Sequence, residues 1–173
     1  MILETARLTI RPLSVNDADD AHAFFTIPDV MQPVGLLPVI MSMEKTKERL
    51  ERWEANGFHH AIVLRETNKV IGYIAIKPDS EESRADTREL GYALHPDYWH
   101  HGYMTETVEA VLEELRRTGI RYVWACCFQE NATSKVVIER CGFTFRRIGE
   151  FTAVGDGKTY ASLEYCKDLL EAA

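Results

Sequence analysis

The residues with the most chemistry in them fall in one stretch, ELGYALHPDYWHHGYMTETVEAVL, residues 89–112. Glu89 is followed at alternate positions by Gly91 and Ala93. On an extended strand these three share one face, while Leu90, Tyr92 and Leu94 share the other. A carboxylate beside two very small side chains leaves room for another chain or a ligand to lie close; a solvent-facing edge would read the same way. Downstream, a loop with proline and glycine leads into an amphipathic helix opening near Gly102–Thr105. A helix start presents unpaired N–H groups and the positive end of the dipole, which suits a phosphate. Gly102 permits close approach of the backbone or an unusual dihedral. The same loop could be a plain connector. Neither a Walker A sequence nor G-x-G-x-x-G is present, so the corresponding nucleotide folds lose support.

The other reactive side chains carry less. Cys126, Cys127, Cys141 and Cys166 contain no C-x-x-C pair, which fits reduced cysteines in a cytoplasmic protein better than a disulfide framework. No histidine partner marks any of them as a nucleophile. His59-His60 and His100-His101 are adjacent pairs, whose side chains diverge on an extended chain, so no metal is expected.

The elements that must position these residues follow from periodicity. Leu8–Pro12 reads as a first strand and 16–25 as a helix with acids at its start. Residues 26–41, TIPDVMQPVGLLPVIM, are apolar but carry three prolines and a glycine, which predicts an irregular loop, either packed on the core or functional. Ser42 caps a helix to about Ala55, with Gly57 as its stop. His60–Glu66 and Lys69–Lys77 are two strands around a Thr67-Asn68 turn, residues 79–86 a solvated loop, and Thr87–Leu94 a strand. The helix Thr105–Thr118 has Val108, Val111, Leu112 and Leu115 on its apolar stripe and a Glu113–Arg117 pair on the other face. Tyr122–Phe128 is a strand covered on both sides. Asn131 caps a helix ending at Gly142. Phe143–Phe151 and Lys158–Tyr165 close the chain around Gly155-Asp156-Gly157. Strands both adjacent and separated by helices imply a mixed sheet with helices on its faces.

The chain has 173 residues, the length of one domain, expected to span 1–173. Lys plus Arg is 20 and Asp plus Glu is 27, a net charge of −7. That argues against nucleic acid as a partner, which needs a basic stripe, and is compatible with cationic substrates. No apolar run is long enough for a membrane span and no signal peptide is expected, so the expected location is cytoplasmic.

The stretch 89–112, followed one strand later by NATSKVVIERCGF, resembles the GNAT superfamily of N-acetyltransferases, and specifically its RimJ/RimL-like branch. The matching positions are Glu89, Gly91, Tyr92, Trp99, Gly102, Tyr103, Thr105, Glu106, Asn131, Ser134, Glu139, Gly142 and Phe143, and the opening TARLTIRPL is similar to the branch's first strand. The resemblance implies the acyl-CoA N-acyltransferase fold, α/β (α+β): a mixed, mostly antiparallel sheet of about seven strands flanked by about four helices. It implies that acetyl-CoA is the co-substrate, with no metal, and that an amine is the acceptor, either a protein N-terminus or a small molecule.

Carried over residue by residue, the resemblance places the pyrophosphate on the loop His100, His101, Gly102, Tyr103, Met104 and Thr105, with Trp99 also at the cofactor. The pantetheine arm would lie along Tyr92, Ala93 and Leu94, where the strand parts from 122–128, with Asn131 and Ser134 touching the arm and Lys135 near the phosphates. Met104 is bulkier than the family's usual small residue. Many members also carry a tyrosine four residues before the Gly-Phe pair, as a proton donor to the departing thiolate; Ile138 stands there. Acetyl transfer needs a neutral amine, a donor to the oxyanion and a proton for the thiolate. Glu89 is the candidate base, acting through water, or else it orients the amine or pairs with Arg84 or Arg88. Ser134 is the candidate donor near the sulfur, and a backbone N–H near Ala93 or Leu94 the candidate oxyanion donor. Phe24, Met31 and Trp53, with Val34 and Leu36, are candidates for the acceptor side; a homodimer interface would account for them equally well. A non-catalytic acyl-CoA-binding module is the alternative function.

Overall fold

A computed structural model describes residues 1–35, 42–80, 83–152 and 157–170. Its sheet is built from β1 (Leu3–Glu4), β2 (Leu8–Pro12), β3 (His59–Leu64), β4 (Lys69–Pro78), β5 (Thr87–Leu94), β6 (Tyr122–Phe128), β7 (Thr144–Thr152) and β8 (Thr159–Asp168). The helices are α1 (Ala18–Phe25), α2 (Pro28–Met31), α3 (Met43–Asn56), α4 (Tyr103–Arg117) and α5 (Ala132–Arg140). The strands lie in the order β1-β2-β3-β4-β5-β6-β8-β7, and every pair is antiparallel except β5–β6. The fold class read from the sequence holds, with one more short strand at the N-terminus and one more short helix.

That helix is α2. Pro28 sits at its first turn, where a missing N–H costs nothing, and a 3₁₀ turn, Gln32–Val34, continues it to Gly35 at φ +68°. The predicted irregular loop is thus helical as far as Gly35, and its remainder, Leu36 included, lies outside the described residues, as do Gly155 and Asp156 of the last turn.

The period-two pattern of the strands sorts side chains to two cores. Leu8, Ile10, Ile62, Ile74, Leu90 and Leu94 face α4 and α5, meeting Val108, Val111, Leu112, Leu115 and Ile138. Ala61, Val63, Tyr73, Ala75 and Ala93 face the other way, under Phe24, Phe25 and Leu50 of α1 and α3. Burying one such aliphatic side chain is worth about 1.5–3 kcal/mol, so the α4 stripe secures the helix to the sheet. Its exposed ion pairs contribute little. They form at i, i+3, Glu113–Arg116 and Glu114–Arg117, rather than between Glu113 and Arg117.

One departure from regular pairing positions the site. β5 and β6 pair in parallel from Thr87↔Tyr122 to Leu90↔Ala125. Pairing then stops, although β5 runs on to Leu94 and β6 to Phe128. The two strand ends diverge, and a long cleft opens between them, reaching from Trp53 and His59 on one side to Ser134 on the other.

Candidate active site

The amides of β5 set the chemistry of the cleft wall. His95 donates to Ile71 O at 2.8 Å, on the β4 side. Alternation along an antiparallel pair then turns the N–H groups of Ala93 and Gly91 toward β4, and those of Tyr92 and Leu94 toward the gap left by β6. Of the two oxyanion donors expected, Leu94 therefore faces the cleft and Ala93 does not. The Leu94 carbonyl is already engaged, accepting from Trp99 Nε1 at 2.7 Å. The indole thus fixes the loop after β5 to the strand end. A Cβ on Gly91 would meet nothing within 4 Å, so the small-residue face is open at Gly91, while Ala93 is buried in the core.

The loop from Trp99 turns into α4 through two left-handed residues, His100 (φ 62°) and Gly102 (φ 78°). Gly102 is the N-cap and contributes no side-chain cap. The first-turn amides of α4 are therefore presented outward, as a phosphate requires. A Cβ at Gly102 would meet only Arg7 Nη2, at 3.6 Å, and Gly102, Tyr103, Met104 and Thr105 all border the cleft. His101 Nδ1 donates to Trp99 O, 2.6 Å away, and the ring stacks on Tyr103 with centroids 5.7 Å apart. The Met104 side chain is buried in the α4 core, so its bulk does not enter the loop. Lys135 is exposed and lies 3.9 Å from Glu139; Arg140, one turn on, borders the cleft.

At the start of α5, Asn131 Oδ1 accepts from the Ser134 amide at 3.0 Å and caps the helix. Ser134 Oγ lies 2.9 Å from the Tyr92 hydroxyl, which reaches across from β5. Burial pushes the Tyr92 phenol well above its ordinary pKa, with the Ser134 hydrogen bond opposing the shift. Ile138 is 2% exposed and belongs to the core. Position 138 therefore offers no phenol, and the phenol that does reach Ser134 is that of Tyr92, from β5. Tyr92 was expected only to flank the pantetheine arm. Its placement on the Leu90/Leu94 face, toward α5, was the sequence signal for this partnership.

Glu89 is half-buried, and its Oε1 accepts from the Ser80 amide (2.7 Å) and from Ser80 Oγ (2.6 Å). Arg84 pairs instead with Asp86, and Arg88 donates to the Ala85 and Thr87 carbonyls. The segment after β4, expected to be merely solvated, holds the carboxylate in place through Ser80, and Asp79 is itself buried.

Trp53, His59 and Tyr73 form the far wall. His59 stacks on Trp53 at 3.8 Å with ring planes 2° apart. Burial, with the charges of Lys77 and His60, pushes the His59 pKa down to about 3, so the ring is neutral near pH 7. Phe24 and Met31, expected on the acceptor side, are 0% and 1% exposed. Their side chains fill the core beneath α1 and α3 and have no surface from which to touch an acceptor; Val34 and Trp53 do border the cleft. Burial raises the thiols of Cys127 and Cys141 to about 11, which keeps them protonated and unreactive. Among the described residues no group of three or more His, Cys, Asp or Glu is arranged to hold a metal, and no helix is long and apolar enough to cross a membrane.

This arrangement can be set beside known proteins. The model of the acetyltransferase (GNAT) domain matches residues 7–144. The chain belongs to the GNAT acetyltransferase family. Among its relatives is the uncharacterized N-acetyltransferase YoaA of Bacillus subtilis, 28% identical over 148 residues, covering 82% of each chain. A GNAT-family acetyltransferase from Bacillus anthracis has the same fold, with a TM-score of 0.83 at 24% identity over 99% of this chain and 100% of that one. So does the Salmonella typhimurium acetyltransferase that modifies the N-terminal serine of ribosomal protein L7/L12, with a TM-score of 0.78 at 19% identity, covering 97% and 99%. The GNAT assignment makes the chain an acetyl-CoA-dependent acyltransferase of RimJ/RimL-like architecture.

Proposed function

We propose that this GNAT protein transfers the acetyl group of acetyl-CoA to a primary amine by direct attack within a ternary complex, the acceptor being a protein N-terminus or a small amine. The observation that carries the reading is the parting of β5 from β6 beyond Leu90, beside an uncapped start of α4. Acetyl-CoA supplies an activated acyl group when bound. The α4 amides bind its diphosphate, and the free edge of Tyr92 and Leu94 orients the arm. The Leu94 N–H donates to the acyl oxygen as it gains charge. Glu89, held by Ser80, takes the ammonium proton through water, since an alkyl ammonium with a pKa near about 10.4 is otherwise unreactive at pH 7.

Tyr92 and Ser134 act together at the sulfur. A phenol whose pKa is raised this far is a poor proton source for the departing thiolate, because the thiol that would form is the stronger acid. It is an effective hydrogen-bond donor, stabilising the thiolate until a proton arrives from the amine or water. The buried, protonated thiols of Cys127 and Cys141 argue against an acetyl-cysteine at those two positions. A thiol-release assay with acetyl-CoA over a panel of N-terminal peptides and small amines tests the function. Amine-dependent release is expected with one class; binding of acetyl-CoA without release to any primary amine would overturn it.

A further inference from the structure

Arg7 stands immediately before β2, far in sequence from α4, yet its guanidinium is spent on the loop that precedes α4 and on the first turn of that helix. Its Nε and Nη2 each lie 2.7 Å from Glu106 Oε2. Its Nη1 donates to His101 O at 2.9 Å. Its guanidinium carbon sits 4.4 Å above the centre of the Tyr103 ring. The same carboxylate is gripped at Oε1 by Thr5 Oγ1 (2.6 Å) and by the Arg7 amide (3.1 Å). Three of these partners belong to the segment 101–106 that carries the left-handed turn at Gly102.

We infer that Arg7 is a positioning residue for the cofactor diphosphate: it latches the His101–Tyr103 turn to β2 and cancels the Glu106 charge beside the α4 amides. The inference rests on the reading that those amides receive the diphosphate. Two physical arguments support it. A left-handed turn at a non-glycine residue such as His100 is unfavourable alone and persists only where neighbours over-determine it; the Arg7–His101 bond and the contact with Tyr103 supply that. Glu106 is also an anion in the first turn of α4, where the dipole favours one but where a diphosphate must also come. Burial alone would raise its carboxyl. Hydrogen bonds from Thr5 and Arg7 outweigh burial and hold it below the usual range, so the carboxylate stays ionised and needs its cation. A planar guanidinium can take the carboxylate and the His101 carbonyl at once; an ammonium cannot do so with the same geometry.

The test separates diphosphate recognition from general damage. In Arg7→Ala, coenzyme A binding by calorimetry is expected to weaken by about tenfold or more, the scale of a lost charge-assisted pair. KM for acetyl-CoA should rise in step, with kcat changed less than about threefold. With acetyl-pantetheine, which lacks the diphosphate, kcat/KM should stay within about twofold of wild type. Hydrogen exchange in the unliganded variant should quicken at amides 100–105. Arg7→Lys, which keeps the charge but not the fork, should fall between, and keeps the test open if the alanine variant does not fold. Adding Glu106→Gln to Arg7→Ala should recover part of the coenzyme A affinity, because the uncancelled charge is gone. Unchanged coenzyme A affinity in Arg7→Ala, or an equal loss with acetyl-pantetheine, overturns the latch. A double variant no tighter than Arg7→Ala overturns the charge-cancelling part. Failure of the wild-type protein itself to bind coenzyme A would instead bring down the reading of the cleft.

Discussion

The hydroxyls of Tyr92 and Ser134 lie 2.9 Å apart and join β5 to α5 beside the cleft where the sheet parts. If they form one donor unit at the sulfur, Tyr92→Phe and Ser134→Ala should each lower kcat by about tenfold, the scale of one lost hydrogen bond to a charged atom. The double variant should be little worse than either single one, since groups acting as a unit are not additive. Steady-state rates on an acetyl-CoA assay give the cycle. Additive losses would separate the two residues, and an undiminished rate in Tyr92→Phe would remove the phenol from the mechanism.

Ser80 and Glu89 make a second such pair. If the carboxylate takes the amine proton through water, Glu89→Gln should cost about a hundredfold in kcat/KM near neutral pH, within the range general-base catalysis contributes. The deficit should shrink as pH rises toward the acceptor's own pKa, because more of the amine is then already neutral. A pH profile of both proteins checks this; a deficit constant at all pH would make Glu89 an orienting group. Ser80→Ala keeps the carboxylate but removes one of its two restraints, and a smaller loss, of severalfold, is expected.

The close approach of β4 to β5 makes a stability prediction. A Cβ on Gly72 would overlap the Ala93 carbonyl oxygen and crowd Leu94 Cα at 2.9 Å, both of them backbone. Backbone cannot rotate aside as a side chain can, so Gly72→Ala should destabilise by about 1–3 kcal/mol, the usual cost of overpacking. Because the displaced residues are the strand end that borders the cleft, KM for acetyl-CoA should rise as well. Chemical denaturation and KM, measured on the same variant, test both parts. Gly91→Ala is the control: its Cβ meets nothing, so stability should barely change.

Much of this is legible in the sequence alone. The α4 stripe and the Glu89–Gly91–Ala93 face follow from local periodicity, and local periodicity survives folding. What escaped depends on partners distant in the chain. β8 inserts between β6 and β7, a long-range pairing with no local signature. The grip of Arg7 on Glu106 and that of Tyr92 on Ser134 join residues brought together only by the sheet. Met31, in the proline-rich segment, and Phe24, on the helix before it, were candidates for the acceptor side, but apolar residues in or beside irregular backbone go to the core as readily as to a ligand, and here they do.

The buried histidines couple stability to pH in a defined direction. His59 is 7% exposed, and among the described residues no partner meets its Nδ1. Its folded pKa, about 3, lies below the ordinary value of 6.5 because burial and the charges of Lys77 and His60 oppose protonation; His60 is lowered too, by burial and by the N-terminal charge. The unfolded chain therefore binds more protons than the folded one below about pH 6.5. Stability is highest above that value and falls as pH drops toward the folded pKa, by up to about 1.4 kcal/mol per pH unit for each such histidine. Carboxylates with lowered folded pKa values lose stability in the same sense, but only nearer pH 4, so the window from 6.5 down to about 4.5 belongs to the histidines. His59→Phe keeps a ring to stack on Trp53 and removes the proton-binding group. Its denaturation free energy should fall less steeply than that of the wild type across this window. Parallel slopes for the two proteins would show that His59 is not held neutral in the fold.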